Sequence, residues 1–389
     1  MKYHYFDNAA TTKVDPHVFK VMEPYFTEEY GNPMSVHTPG QKALAAMDKS
    51  RSQIADFFGC LGQEIVFTSG ATESNNLTIK GLIQTRNKPH VITSKIEHHC
   101  VLETVEHLEK QGLITASYIK PEKNGIIKAE NVFKEIGDNT LLISIMYVNN
   151  EIGTIQPISE IGKELKTINQ KRKHKIYFHT DAVQALNYLD CNVDKLGIDL
   201  LSFSGHKIYG PKGIGGLYVR SQTPLKQIQH GGAQEQNFRA GTHNIPGIVG
   251  LSEAITIIKK TGKKDYKQVE KLRNALWKGI QEKIKNVTLN GDEKNRIPSN
   301  LNVSFKNIEG EGILISLDLD GIAASTGSAC SSGSLEPSHV MMALQNDPLR
   351  AHSSIRFSLG KFNTRDDVDY LLKKLPPIIE KLRKISPFK

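Results

Sequence analysis

From Val14 to about residue 250 the chain alternates short apolar runs with amphipathic stretches, and this alternation constrains its fold more than any other feature. The runs Glu64–Ser69, Val91–Thr93, Leu141–Val148, Ile176–Phe178 and Leu200–Phe203 read as strands buried on both faces, because they lack a polar residue at every second position. Helical spacing of apolar residues predicts helices over Gly40–Phe58, Glu73–Thr85, His99–Gln111 and Ile158–Asn169. Strands linked by helices in this order form a mostly parallel sheet covered on both sides, an α/β fold.

Near Gly250 the character shifts. Helices are predicted over Leu251–Lys260 and Tyr266–Lys285, a strand over Leu301–Phe305 and a helix over Glu311–Leu319. A Gly/Ser-rich segment, Ser325–Ser334, precedes a helix from Ser338, a strand over Ile355–Phe357 and a last helix that Thr364 caps ahead of Asp366 and Asp367. Fewer strands and longer helices indicate a smaller α+β domain, and 389 residues exceed one ordinary core. The expected division is a large domain over 15–255 and a small domain built from 1–14 and 256–389.

Composition narrows the setting. With 38% hydrophobic and 23% charged residues the chain is globular, and no apolar run nears the roughly 18 residues a membrane span needs. Its first residues lack an export-signal pattern, so a cytoplasmic location is expected, without a membrane partner. Cys60, Cys100, Cys191 and Cys330 are far apart with no Cys-x-x-Cys pair, which argues against a zinc knuckle or disulfide framework and for a reducing compartment. The net charge of +9 is spread over runs such as Lys171-Arg172-Lys173, as on a solvated surface; no direct nucleic-acid contact and no metal are expected.

The chemistry gathers at strand ends. Leu200–Phe203 runs into Ser204-Gly205-His206-Lys207 and a loop broken by Gly210, Pro211, Gly213, Gly215 and Gly216, so Lys207 projects from an anchored backbone with two polar neighbours able to reach an anion. Strand Ile65–Thr68 leads through Ser69-Gly70-Ala71 to Thr72 at a helix start, where free N–H groups and a hydroxyl suit a phosphate, or where Thr72 merely caps its helix. Asp181 follows the strand over Ile176–Phe178, and Glu97-His98-His99-Cys100 follows the one over Val91–Thr93. One cofactor uses all these parts. Pyridoxal 5'-phosphate needs a lysine amine for its aldehyde, an acid opposite its ring nitrogen, an anion cup and a flat group over the ring. Lys207, Asp181, the Thr72/Ser204/His206 set and His98 supply them in that order.

These residues stand in an ordered set of motifs: Asp7-Asn-Ala-Ala-Thr-Thr12, Tyr30-Gly-Asn-Pro33, Thr68-Ser-Gly-Ala-Thr-Glu73, Glu97-His98, Val148-Asn-Asn-Glu-Ile-Gly153, Asp181-Ala-Val-Gln184, Ser204-Gly-His-Lys207, Arg239-Ala-Gly-Thr242, Gly327-Ser-Ala-Cys330 and Ser354-Ile-Arg356. From about residue 5 to about 385 the chain resembles the cysteine desulfurases, in the class V aminotransferase-like branch of fold type I enzymes. The resemblance implies a seven-stranded, mostly parallel sheet in the large domain and a small domain carrying a catalytic cysteine loop. It implies that Lys207 holds the cofactor, Asp181 faces the ring nitrogen and His98 stacks on the ring. By the same carry-over Asn150 and Gln184 contact the ring hydroxyl or the substrate, while Ala71, Thr72, Ser204 and His206 bind the phosphate. Thr242 reaches the phosphate of a neighbouring subunit, which implies a homodimer, and Arg356 pairs with the substrate carboxylate.

Cys330 then becomes the distinguishing residue, because it sits among Gly and Ser with almost no apolar anchor while the other cysteines lie in helical or apolar settings. The implied reaction removes sulfur from L-cysteine, leaves L-alanine and forms a persulfide on Cys330. Its sulfur acceptor is expected to be an iron–sulfur scaffold or a tRNA-thiolation enzyme. Two other readings compete. An aminotransferase or lyase of the same fold would leave Cys330 idle, and a non-enzymatic scaffold would have no need of Lys207, Asp181 and Arg356.

Overall fold

The computed structural model describes residues 3–327 and 337–387. Seven strands form the central sheet: β1 (Ile65–Thr68), β2 (His90–Ser94), β3 (Thr115–Ile119), β4 (Thr140–Ser144), β5 (Tyr177–Asp181), β6 (Leu200–Ser204) and β7 (Gly215–Val219). They lie in the order β1-β7-β6-β5-β4-β2-β3. Every pairing is parallel except the two made by β7, so the α/β reading holds.

Both faces of the sheet are apolar, as alternation along each strand requires. Ile65, Phe67, Ile92, Ile143, Leu201 and Phe203 belong to one core, and their neighbours Val66, Val91, Leu142 and Leu200 to the opposite one. Fully burying each such side chain stabilises the fold by about 1.5–3 kcal/mol. Two strands escape the sequence reading. β3 is an edge strand with a half-polar sequence, and β7 begins with two glycines that read as loop. An added Cβ at Gly215 would lie 2.7 Å from the Gly70 Cα, so glycine there lets β7 pack beneath the turn after β1. β4 is shorter than expected. It ends at Ser144; the N–H groups of Ile145 and Tyr147 still reach β5 carbonyls, but the chain then bends and Val148 bridges Ile155 instead.

The helices that matter to the site are α1 (Thr38–Phe58), α2 (Ala71–Ile83), α3 (His99–Lys110), α4 (Ile158–Gln170), α5 (Ile245–Lys283), α6 (His339–Gln345) and α7 (Arg365–Ile385). Ser338, expected to begin a helix, caps α6, and Thr364 caps α7 as expected, in a capping box with Asp367.

The two helices predicted after Gly250 are one. α5 runs unbroken for 39 residues, starting from an Asn244 cap. Its first half buries Ile248, Leu251 and Ile255 in the main core, and its second half buries Val269, Leu272, Leu276 and Ile280 in a separate core. Thr261 bonds back to the Ile257 carbonyl and across to Asp265, so the segment through Gly262 stays helical. The glycine costs about 1 kcal/mol relative to alanine, less than one of those buried side chains contributes. An alanine Cβ at 262 would find Ile258 Cγ2 at 3.4 Å and the Asn187 carbonyl oxygen at 3.7 Å, both ordinary contacts. Gly262→Ala is therefore expected to stabilise the protein by about 0.5–1 kcal/mol, read as a higher urea midpoint at unchanged slope. A lower midpoint would show that this stretch needs the freedom of glycine.

The second core packs α7 and the end of α5 against an antiparallel sheet of β8 (Val287–Leu289), β9 (Asn300–Phe305) and β10 (Ser354–Ser358), with β9 in the middle. The N-terminal residues His4 and Tyr5 pair in parallel with Ile322 and Ala323, and Phe6 is buried in this core. From there the Asp7–Thr12 segment crosses to the main sheet, where the Thr12 N–H donates to the His206 carbonyl. Among the described residues no helix is long and apolar enough to cross a membrane.

Candidate active site

The carboxyl ends of β1, β2, β4, β5 and β6 open into a cavity of about 610 Å³. Strand order reverses between β2 and β4, and parallel sheets leave a crevice at such a point. Ala71, Thr72, His98, Asn150, Asp181, Gln184, Ser204, His206, Lys207 and Arg356 all line this space. Thr242 does not: it is exposed on the loop before α5. Cys330 lies outside the described residues, but Gly327, three positions before it, lines the cavity.

Lys207 ends a single tight turn, Gly205–Lys207, directly after β6. Its Nζ donates to the Ala9 and Ala10 carbonyls, each at 2.6 Å, so the N-terminal crossing segment holds the amine over the cavity. Gln184 Nε2 donates to the same Ala9 carbonyl at 3.0 Å. Asp181, the last residue of β5, is buried; one carboxylate oxygen accepts from the Val183 N–H at 3.0 Å and the other from Asn75 Nδ2 at 2.8 Å.

His98 caps α3 through its ring, Nδ1 accepting the Cys100 N–H at 3.2 Å. Burial pushes its imidazole below the usual value; Asp181 opposes that shift and Lys207 reinforces it. Of the two histidines in the Glu97-His98-His99-Cys100 motif only His98 lines the cavity; His99 packs on His339 of α6.

The anion cup is built from backbone. Gly70, at φ 157°, precedes α2 and brings no capping side chain, and the first residues of α2, Ala71 and Thr72, line the same cavity as Ser204 and His206. Burial, with Lys207 and Lys212 adding repulsion, pushes His206 down to about 4, and its Nδ1 sits 3.2 Å from Thr11 Oγ1. A neutral imidazole there leaves Lys207 and Lys212 to supply the positive charge.

Arg356, at 2% exposure, lies inside β10 and reaches the cavity from the second core. Nη2 donates to Asp7 Oδ1 at 2.8 Å and Nη1 to the Asn150 carbonyl at 3.0 Å, while Nε is buried with no partner among the described residues. A buried guanidinium with one donor unspent fits a carboxylate ligand. An amine, a buried acid, uncapped helix N–H groups and a flat imidazole around one cavity likewise fit pyridoxal phosphate. The sequence reading assigned no role to Asn75 or Asp7. Only helix phase distinguishes Asn75 from its neighbours Ser74 and Asn76, and Asp7 meets Arg356 across 349 positions.

The chain matches the family described as Aminotransferase class-V over residues 4–371. The chain belongs to that family. A cysteine desulfurase IscS of Dictyoglomus turgidum is 48% identical to this class V protein, covering 99% of this chain and 96% of the relative. A cysteine desulfurase of Homo sapiens is 43% identical over 98% of this chain and 83% of its own length. Among solved structures, a NifS-like protein superposes with a TM-score of 0.91 at 38% identity, covering 98% of this chain and all of that one. Another, titled SspA in complex with cysteine, has a TM-score of 0.82 at 38% identity over 92% of this chain and 99% of its own. These structures bear out the fold type I expectation for this class V chain, including the seven-stranded sheet.

Proposed function

We propose that this protein is a cysteine desulfurase, a pyridoxal phosphate-dependent sulfurtransferase that converts L-cysteine to L-alanine and carries the sulfur as a persulfide on Cys330. The observation that carries this reading is the meeting of Lys207, Asp181, His98 and Arg356 in one cavity whose rim at Gly327 leads to Cys330. When bound, the cofactor supplies an electron sink for the bond that breaks at the substrate Cα. Lys207, whose amine lies over the cavity just past the end of β6, would hold the cofactor and would take the proton from the substrate Cα. Asp181, held by Asn75 and Val183, would set its carboxylate against the ring nitrogen. Ala71, Thr72, Ser204 and His206 hold the phosphate, joined by Thr242 of the partner subunit, which supports a homodimer because Thr242 stands exposed outside its own chain's cavity.

Arg356 Nε and its fork bind the substrate carboxylate, with Asn150 and Gln184 beside it. The sulfur step balances without an outside oxidant: the substrate Cβ–S bond breaks, a sulfur–sulfur bond to Cys330 forms, and the thiol proton returns to the carbon product. Three peptide units span at most roughly 11 Å, so a thiol three residues past Gly327 is within chain reach of the cavity. A persulfide on such a loop suits transfer to a second protein, an iron–sulfur scaffold or a tRNA-thiolation enzyme.

Cys330→Ala is expected to keep the yellow colour of the cofactor and to lose sulfide release from L-cysteine under reductant by at least about 100-fold. Equal alanine and sulfide from the variant and the parent would instead identify a lyase in which Cys330 is idle.

A further inference from the structure

Cys100 also lines the cavity, and neither the cofactor roles nor the sulfur step uses it. It sits in a continuous line of polar contacts that joins the acid on one side of the cavity to the imidazole on another. Asn75 Nδ2 donates to Asp181 Oδ2 at 2.8 Å and to Cys100 Sγ at 3.0 Å, and Sγ lies 3.0 Å from His98 Nδ1. Nδ1 already accepts the Cys100 backbone N–H at 3.2 Å, as the cap of α3. A ring nitrogen that accepts a backbone N–H carries no proton of its own. A hydrogen bond between the two therefore has the sulfur as its donor, while Asn75 and the Thr72 hydroxyl donate to the sulfur. Burial, with Asp181 adding to it, pushes the Cys100 thiol up to about 12, so the proton it needs to donate stays in place at neutral pH.

We infer that Cys100 is a positioning residue that acts through His98: its S–H, oriented by Asn75 from Asp181, fixes His98 as the neutral tautomer with the proton on Nε2. The opposite tautomer would place a proton on Nδ1 and leave the Cys100 N–H facing it without an acceptor. His98 thus presents an N–H, rather than a lone pair, to whatever occupies the cavity. The charged and titratable groups facing it are Asp181 at the end of β5, Lys207 after β6, His99 on its own helix and His339 on α6. Asp181 favours the imidazolium and the other three oppose it; the S–H bond adds to the opposition because it exists only while Nδ1 is bare.

The role assigned to Cys100 rests on the cysteine desulfurase reading for its bearing on turnover, but its primary readout does not. Full-length protein as isolated, labelled with ¹⁵N-histidine and with the His98 signals assigned from His98→Gln, is observed by NMR across a pH series. Expected for the parent is an unprotonated Nδ1 and a protonated Nε2, with a titration midpoint below that of a free imidazole. Cys100→Ala is expected to give mixed tautomers and a higher titration midpoint, and Cys100→Ser, which keeps a donor, to restore both. In turnover, Cys100→Ala lowers kcat by about tenfold with little change in KM and shifts the acid limb of the pH profile upward, a loss of the size seen when an outer partner that orients an imidazole is removed. A protonated Nδ1 in the parent overturns the inference, and so do His98 signals that Cys100→Ala leaves unmoved. Should the NMR result hold in a protein that releases no sulfide from L-cysteine, the desulfurase reading fails while the tautomer assignment stands.

Discussion

Lys207→Ala is expected to abolish formation of alanine and sulfide from L-cysteine, by more than about four orders of magnitude, because in the proposed mechanism one side chain supplies both the cofactor anchor and the base at Cα. The structure allows this loss to be separated from unfolding. Lys207 Nζ donates to the Ala9 and Ala10 carbonyls at the edge of the cavity, and Gln184 still serves Ala9 when the lysine is gone. The stability cost should stay within about 1–2 kcal/mol. Lys207→Arg sharpens the test, since a guanidinium keeps the charge and can keep the carbonyl contacts but cannot bond the aldehyde. Both variants should fold and both should be inactive. Borohydride reduction of the parent followed by peptide mapping should place the cofactor on residue 207; a modified lysine elsewhere would overturn the assignment.

Arg356 carries the second large effect. Its guanidinium is almost fully buried, paired with Asp7 and braced by the Asn150 carbonyl, with Nε unspent. Truncation to alanine removes substrate binding and also leaves the Asp7 carboxylate facing the vacated site. Breaking a buried pair from one side costs about 3–5 kcal/mol; with the Asp7 side chain 19% exposed, the lower end of that range applies. Arg356→Lys divides the two roles. A lysine keeps a cation for Asp7 but loses the planar fork, so KM for L-cysteine should rise by about 100-fold, close to 3 kcal/mol, with a much smaller fall in Tm than in the alanine variant. An unchanged KM in the lysine variant would remove Arg356 from the carboxylate site and leave it a structural partner of Asp7.

The sulfur step depends on a thiol placed where both the cavity and an outside acceptor can be served. The described chain enters that region from a firmly held side. Ser325 pairs with Arg356 through both backbone groups, and the Gly327 N–H donates to Ser325 Oγ at 3.0 Å. On the far side Ser338 Oγ donates to Glu151 at 2.5 Å, and His339 Nε2 meets the Glu97 carbonyl at 2.9 Å. The described residues on both sides of Cys330 are thus fastened, one side to Arg356 of the cavity wall and the other to Glu151 and Glu97, each next in sequence to a residue that lines the cavity.

What could be read without coordinates was whatever depends on near neighbours in the chain. Short continuous apolar runs gave the strands β1, β2, β5 and β6 to within a few residues, because a strand buried on both faces needs apolar side chains at successive positions. Residues at the ends of those strands could be singled out because parallel sheets place their sites there, and the motif set named the same positions. The single long α5 could not be read, since a glycine amid lysines looks like a break until two cores, one at each end, are seen to hold the helix.

The polar wiring of the site was decided only by tertiary structure. Asn75 meets Asp181 across 106 positions and Arg356 meets Asp7 across 349, and no local pattern distinguishes either partner from the polar residues beside it. Cys100 read as an incidental helical thiol, and it becomes a donor to His98 only because helix phase turns it toward Asn75. The reason is physical: backbone periodicity is a property of a few consecutive residues, whereas the direction and partner of a buried polar side chain are settled by which distant group must satisfy it once water is excluded.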